Sequence, residues 1–221
     1  MKMLDIIKKI KRKSISILRN DLWLFGIGAF VRKFKERPLP VNQDRKVLIH
    51  IGCGDFNDPK YINVDSRTGW HIHRVGSIEN CAELFDEEYA DLIYACHVLE
   101  HVSHQRLIKT VKGLYLCLKK GGVLRLSVPD FDVIVSMYQE RKNVGDIIEP
   151  LMGGQGYADN FHRSVFNEDY LRQILLKSGF NEVRRWNSEN ATHHNFNDWS
   201  KRKFPLHDRK WPISLNLEAV K

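Results

Sequence analysis

A mostly parallel α/β sheet of seven strands, with helices on both faces and a basic helical extension in front of it, is the fold class that this sequence predicts. Three observations predict it. Short apolar runs rich in β-branched residues alternate with helical stretches between Lys46 and Trp186, the pattern of parallel strands joined by crossovers. The 221 residues suffice for one core with an appendage. The formal charge of +8 is confined to one end, since residues 1–45 hold 12 Lys/Arg against 4 Asp/Glu and the remainder hold 23 of each. With 43% hydrophobic and 28% charged residues, the composition excludes wholesale disorder, a collagen-like repeat and a multi-span membrane protein.

Residues 1–35 read as an amphipathic helical segment. Met3, Ile6, Ile7, Ile10, Ile17 and Leu18 lie near helical spacing, with Lys8, Lys9, Lys11, Arg12 and Lys13 between them. The apolar run Leu22–Val31 is too short for the ~18 to 20 residues that span a bilayer. It is closed by Arg32-Lys33 without a small-residue cleavage site, so a secreted protein is not expected. The segment can pack its apolar face on the main domain, lie on an anionic membrane surface, or act as an RNA-binding arm, nucleic acid being the least favoured partner. Arg37-Pro38-Leu39-Pro40 stiffens the chain and marks a boundary, dividing an extension and linker (1–40) from the main domain (41–221). Four cysteines, Cys53, Cys81, Cys96 and Cys117, fall outside CxxC spacing and suit reduced thiols in a cytoplasmic protein.

Within the main domain, residues 46–51 form an apolar strand that runs into Gly52-Cys53-Gly54. A second strand ends at Asp65, a weaker third covers residues 72–78, and a fourth covers 91–95. Leu99, Val102, Leu107, Val111, Leu114 and Leu118 predict one helix over 99–118, stopped by Lys119-Lys120-Gly121-Gly122. A fifth strand over 123–128 ends at Pro129, and a helix follows over 131–140. Residues 141–166, rich in Gly and polar groups, read as an irregular acceptor-side insertion. A helix over 167–177 and strands over 182–186 and 213–220 complete the chain, the late pair predicting an antiparallel edge.

Ligands of an open parallel sheet sit beyond the carboxyl ends of its strands, so the residues that follow each strand are the candidates. Gly52 and Gly54 let a ligand approach the backbone. Asp65 can accept both hydroxyl hydrogens of a ribose, with Ser66 beside it. Ser77, Ile78 and Glu79 can flank a purine, and Cys96 and His97 follow strand four.

At these residues the chain resembles the class I S-adenosylmethionine-dependent methyltransferases, a Rossmann-like family, over most of residues 46–187. Val47 to Gly54 (VLIHIGCG) is similar to the family's first motif, Cys96 to His101 (CHVLEH) to the helix entry after strand four, Leu118 to Pro129 (LKKGGVLRLSVP) to the fifth strand, and Ser178 to Val183 (SGFNEV) to the late strand entry. The resemblance implies S-adenosyl-L-methionine as cofactor, held by Gly52, Cys53, Gly54, Asp65, Ser66, Ser77, Ile78, Glu79, Cys96 and His97. The chain departs from the pattern at His50, where the family usually carries an acid, and at Phe56, where it usually carries glycine. Its ten residues between Gly54 and Asp65 replace a helix with the turn sequence DFNDP. YINVD, HVLEH and LRLSVPD together resemble a bacterial branch linked to polysaccharide and lipopolysaccharide biosynthesis. That branch implies a small-molecule or glycan acceptor, and the glycan reading gives the basic segment a task, holding the enzyme near a lipid-linked acceptor at the inner membrane face. An RNA acceptor and a non-catalytic relative are the alternative readings.

Methyl transfer needs alignment of the nucleophile with the methyl carbon, plus a base when the acceptor is a hydroxyl. Histidine suits that base. His162 in the insertion is the first candidate, ahead of His97 and His101. His97-Val-Leu-Glu-His101 also fits the literal HxxEH metal pattern, and some relatives hold a divalent metal on an ExxEH helix. Because His97 follows a strand and replaces the first acid of that helix, no metal is expected. Arg163, Arg184, Arg185 and the stretch from His193 to Arg202 can receive a negatively charged acceptor.

Overall fold

The structure, a computed structural model, describes residues 37–157 and 159–221. The helical extension expected over 1–35 lies outside the described residues. Among the described residues, nine strands and five α-helices follow one another as β1 (Leu48–Ile51), β2 (Tyr61–Asp65), β3 (Arg74–Val75), α1 (Cys81–Leu84), β4 (Ala90–Cys96), α2 (Leu107–Cys117), β5 (Leu118–Pro129), α3 (Phe131–Arg141), α4 (Ile148–Met152), α5 (Glu168–Lys177), β6 (Glu182–Arg185), β7 (Phe204–Leu206), β8 (Arg209–Trp211) and β9 (Ser214–Val220). The main sheet has seven strands in the order β3-β2-β1-β4-β5-β9-β6. β1 to β5 are parallel, and β9 lies antiparallel between β5 and β6. The expected antiparallel edge is therefore the single reversed strand β9.

Alternation along the strands divides the core. Ile49, Ile51, Ile62, Val64, Ile93 and Ala95 face α1, α2 and α5 in one aliphatic cluster. Their neighbours Leu48, Tyr61, Leu92 and Tyr94 point to the opposite face. There Trp186 and Phe196 pack on them, and the Tyr61 hydroxyl donates to the His193 carbonyl, so the segment after β6 covers this face among the described residues. His50 belongs to it too, with its ring centroid 5.0 Å from Tyr94 and 4.7 Å from Phe196. Where the family usually carries an acid, this chain thus places a buried aromatic contact, and Phe56 packs in the same group.

Several elements differ from expectation. The helix expected over 99–118 begins at Leu107 and is preceded by two 3₁₀ turns, Leu99–His101 and His104–Arg106. The cause is distant in sequence: the Glu100 carbonyl, which a continuous helix would use at its next turn, accepts the backbone N–H groups of Arg163 and Ser164 at 2.8 and 3.1 Å. Strand three shrinks to two residues, and the insertion contains α4. The hairpin of β7 and β8 was not expected. Among the described residues, no helix is long and apolar enough to cross a membrane.

Candidate functional site

The carboxyl ends of β1 to β4 open onto a cavity of about 250 Å³. Gly52 and Gly54 line it at φ +64° and +54°. A Cβ on Gly52 would stand 2.3 Å from Val98 Cγ2, so only glycine lets the strand end turn this close to the start of the 99–101 turn. Gly54 N–H donates to Asp65 Oδ2 at 2.8 Å, and its carbonyl lies 2.7 Å from His71 Nε2. Asp65 Oδ1 accepts the Arg67 backbone N–H at 2.9 Å and its Nε at 3.2 Å. Ser66 and Asp159 are joined at 3.1 Å across the opening. Ile78 forms a buried apolar wall, and Glu79 accepts from Arg106.

A second hollow of about 380 Å³ adjoins the first and shares Gly54, His97, His101 and Tyr157 with it. Glu100, His101 and His162 lie along it, with Trp199, Phe204 and Ile213 as apolar walls. His97 is pinned at φ +53°, a conformation that costs about 1–2 kcal/mol outside glycine. Its N–H donates to the Ser127 carbonyl at 2.8 Å, and its Nε2 lies 2.8 Å from Ser214 Oγ. Burial pushes the Glu100 carboxyl up to about 8. Burial also lowers His97 to about 3 and, with His101 adding to it, lowers His162 to about 4. His101 shifts down through burial, partly opposed by the Phe161 carbonyl. All three imidazoles are therefore neutral near pH 7, the state that offers a lone pair.

The methyltransferase-domain family matches the sequence over residues 25–184. The chain belongs to that family. Solved structures of the same fold include S-adenosylmethionine-dependent methyltransferases from three organisms. That of Archaeoglobus fulgidus is 15% identical, with 88% of this chain and 93% of that one covered at a TM-score of 0.51. That of Thermotoga maritima is also 15% identical, with 95% and 97% covered at 0.51, and that of Methanosarcina mazei is 16% identical, with 82% and 94% covered at 0.50. No curated protein matches the sequence.

S-adenosylmethionine is the methyl donor of this methyltransferase. The bare backbone at Gly52 and Gly54 and the nearly buried Asp65 carboxylate at the far side of the first cavity fit that molecule. Of the residues expected around it, Gly52, Gly54, Asp65, Ser66, Ser77, Ile78, Glu79 and His97 line the first cavity. Cys53 does not line it. Its side chain is fully buried and its N–H donates to the Val64 carbonyl at 3.2 Å, so it braces the turn from behind. Cys96 faces the second hollow. His101 borders both hollows, and His162 the second alone.

Of the arginines expected to receive an anionic acceptor, only Arg163 reaches the first cavity. Arg184 pairs with Glu182 and Glu218, and Arg185 with Glu168. His194 is buried among aromatic rings. Sequence reasoning missed Glu100, whose only signal was its place in HVLEH, and Tyr157, whose ring lies under the Arg67 guanidinium at 5.5 Å.

Proposed function

We propose that this enzyme methylates a hydroxyl group of a small-molecule or glycan acceptor in surface-polysaccharide biosynthesis. The observation that carries this reading is the second hollow, where neutral histidines stand beside aromatic walls at the far side of the residues that fit the cofactor. Imidazoles suit a hydroxyl that must lose its proton, and Trp199, Phe204 and Tyr157 suit the C–H face of a sugar ring. The resemblance of YINVD, HVLEH and LRLSVPD to the polysaccharide branch supports the glycan class.

Bound S-adenosylmethionine supplies an electrophilic methyl group on a sulfonium. Gly52 and Gly54 admit its methionine end to the backbone, Asp65 and Ser66 hold the ribose, and Ser77, Ile78 and Glu79 flank the adenine. His97 stands where the two hollows join, and His162 with His101 receives the acceptor hydroxyl. The arginine and histidine side chains are not the main binders of an anionic group, since most are paired elsewhere. The basic segment 1–35 holds the enzyme at an anionic membrane face, near a lipid-linked acceptor.

The test is a screen of acceptors with methyl-labelled cofactor, covering free sugars, nucleotide sugars, lipid-linked glycans, RNA and amines. Label on a sugar hydroxyl is the expected result. Label on RNA or an amine alone overturns the reading.

A further inference from the structure

We propose that Glu100, His101 and His162 form a binding site for a divalent transition-metal cation at the floor of the acceptor hollow. The proposal rests on the reading of that hollow as the acceptor side of the methyltransferase. One ligand atom from each of the three side chains lies within 4.8 Å of the other two. Metal bonds of about 2.0–2.2 Å to nitrogen and oxygen require only a modest closure of that triangle.

An independent observation comes from Glu100 itself. Its side chain is 1% exposed, and neither carboxylate oxygen has a hydrogen-bond partner among the described residues. Buried polar groups are nearly always satisfied, and a buried carboxylate is among the costliest exceptions. What surrounds it is three imidazoles. His97 Nδ1 lies 3.4 Å from Glu100 Oε1, and His162 Nε2 lies 4.0 Å from the same oxygen.

The hydrogen bonds fix which ring nitrogens carry protons. Ser214 Oγ donates its one hydrogen to the Trp199 carbonyl at 2.7 Å, so it can only accept from His97 Nε2–H. His97 Nδ1 then faces Glu100 Oε1 with a lone pair at 3.4 Å, a spacing at which either a carboxyl proton or a cation satisfies both atoms. His101 Nδ1 lies 3.1 Å from the Phe161 carbonyl, which can only accept, so Nδ1 carries the proton and Nε2 is the ring nitrogen that keeps a lone pair. A histidine whose second nitrogen is tied to a backbone carbonyl is the arrangement that orients metal ligands. Segment 161–164 brings the third ligand: His162 N–H donates to the Met152 carbonyl at 3.0 Å, and the two following N–H groups are clamped on the Glu100 carbonyl.

One carboxylate with two imidazoles selects zinc, iron(II), manganese or cobalt over the all-oxygen sites of calcium and magnesium. A cation there would bind the acceptor's hydroxyl oxygen and lower its pKa, so that His162 serves as a ligand and the proton is given up to solvent. Sequence reasoning set metal aside because His97 follows a strand. Here the ligands are the Glu100 and His101 of that motif, completed from the insertion.

The experiment uses the full chain, stripped with a chelator and titrated with Zn²⁺ by calorimetry and with Co²⁺ by visible absorption. Saturable binding of one cation per chain, with d–d bands, is expected. His101→Ala and His162→Ala should each weaken it at least tenfold while circular dichroism stays unchanged. Glu100→Gln provides a third variant with a nearly isosteric side chain, expected to weaken binding equally. No saturable binding, or wild-type affinity in both histidine variants, overturns the site; a protonated Glu100 bonded to His97 would give the first of these results. Calorimetry with S-adenosylmethionine on the same stripped protein separates the two readings: cofactor binding without cation binding removes the metal site alone, and cation binding without cofactor binding removes the functional reading alone.

Discussion

Substitution of Asp65 separates two tasks that its carboxylate performs. The group is 6% exposed and already accepts three protein hydrogens, from Gly54 N–H at 2.8 Å, Arg67 N–H at 2.9 Å and Arg67 Nε at 3.2 Å. A carboxylate offers about four lone-pair positions, so one is open to a ribose hydroxyl. A second opens when the Arg67 side chain, 49% exposed, swings outward. Each hydrogen bond to an ionised acceptor contributes about 1.5–3 kcal/mol, and 1.4 kcal/mol is about tenfold in affinity. Asp65→Ala should therefore weaken S-adenosylmethionine binding by about tenfold to a hundredfold if one such bond is lost and by up to about ten-thousandfold if two are, and Asp65→Asn, which keeps one acceptor oxygen, by less. The same variants strip an acceptor from the Gly54 turn, so the unfolding midpoint should fall even without cofactor. Calorimetry and thermal unfolding measured side by side distinguish the tasks. A lowered midpoint with a Kd unchanged within twofold would refute the ribose assignment and leave Asp65 as a brace for the turn.

Three further outcomes are expected. Burial lowers His50 to about 4, with Asp198 opposing and His194 reinforcing the shift, so its stabilising effect is complete above about pH 6.5 and is lost as pH falls toward 4. His50→Phe should flatten that part of the acid-unfolding curve, by on the order of 3 kcal/mol between pH 7 and 4; an unchanged curve counts against it. Glu218 on β9 takes the Arg125 Nε of β5 at 2.7 Å, both side chains under 10% exposed, so Glu218→Ala should cost about 3–5 kcal/mol in denaturant unfolding. Adding Arg125→Leu should restore part of that loss. Full-length protein should sediment with anionic vesicles at low salt and release at high salt, while a variant lacking residues 1–35 stays in solution; no difference between the two removes the membrane role.

What the chain announces locally, the fold honours. Leu48–Ile51 followed by Gly52-Cys53-Gly54 declares a buried strand and a turn requiring positive φ, because both signals lie within one short stretch. The same holds for Asp65 and Ser77-Ile78-Glu79, which sit where strand ends place them. Failures occur where a partner distant in sequence decides. Apolar spacing from Leu99 onward is helical, yet the helix waits until Leu107 because Arg163 and Ser164 occupy the Glu100 carbonyl. The β7 and β8 hairpin was hidden for another reason: Phe204-Pro205-Leu206 and Arg209-Lys210-Trp211 are three residues each, and Pro205 reads as a strand breaker.

Glu100 shows why the second hollow is harder to read from sequence than the first. The residues proposed for the cofactor come from the ends of successive strands, so their order in the sequence mirrors their order in space. The proposed acceptor side is assembled by convergence, with the 99–101 turn and the 161–164 segment meeting around one carboxylate and Ser214 at the start of β9 bonded to His97 beside it. Glu100 takes part through both its halves: its carbonyl holds the insertion in place, while its side chain faces the histidines that the insertion and the turn deliver. Any displacement of 161–164 would therefore move His162 and release the Glu100 carbonyl together. In the proposed reading, acceptor recognition and the geometry of the reacting end are thus coupled through a single residue, and a helix running unbroken from Leu99 would have removed that coupling by using the carbonyl for itself.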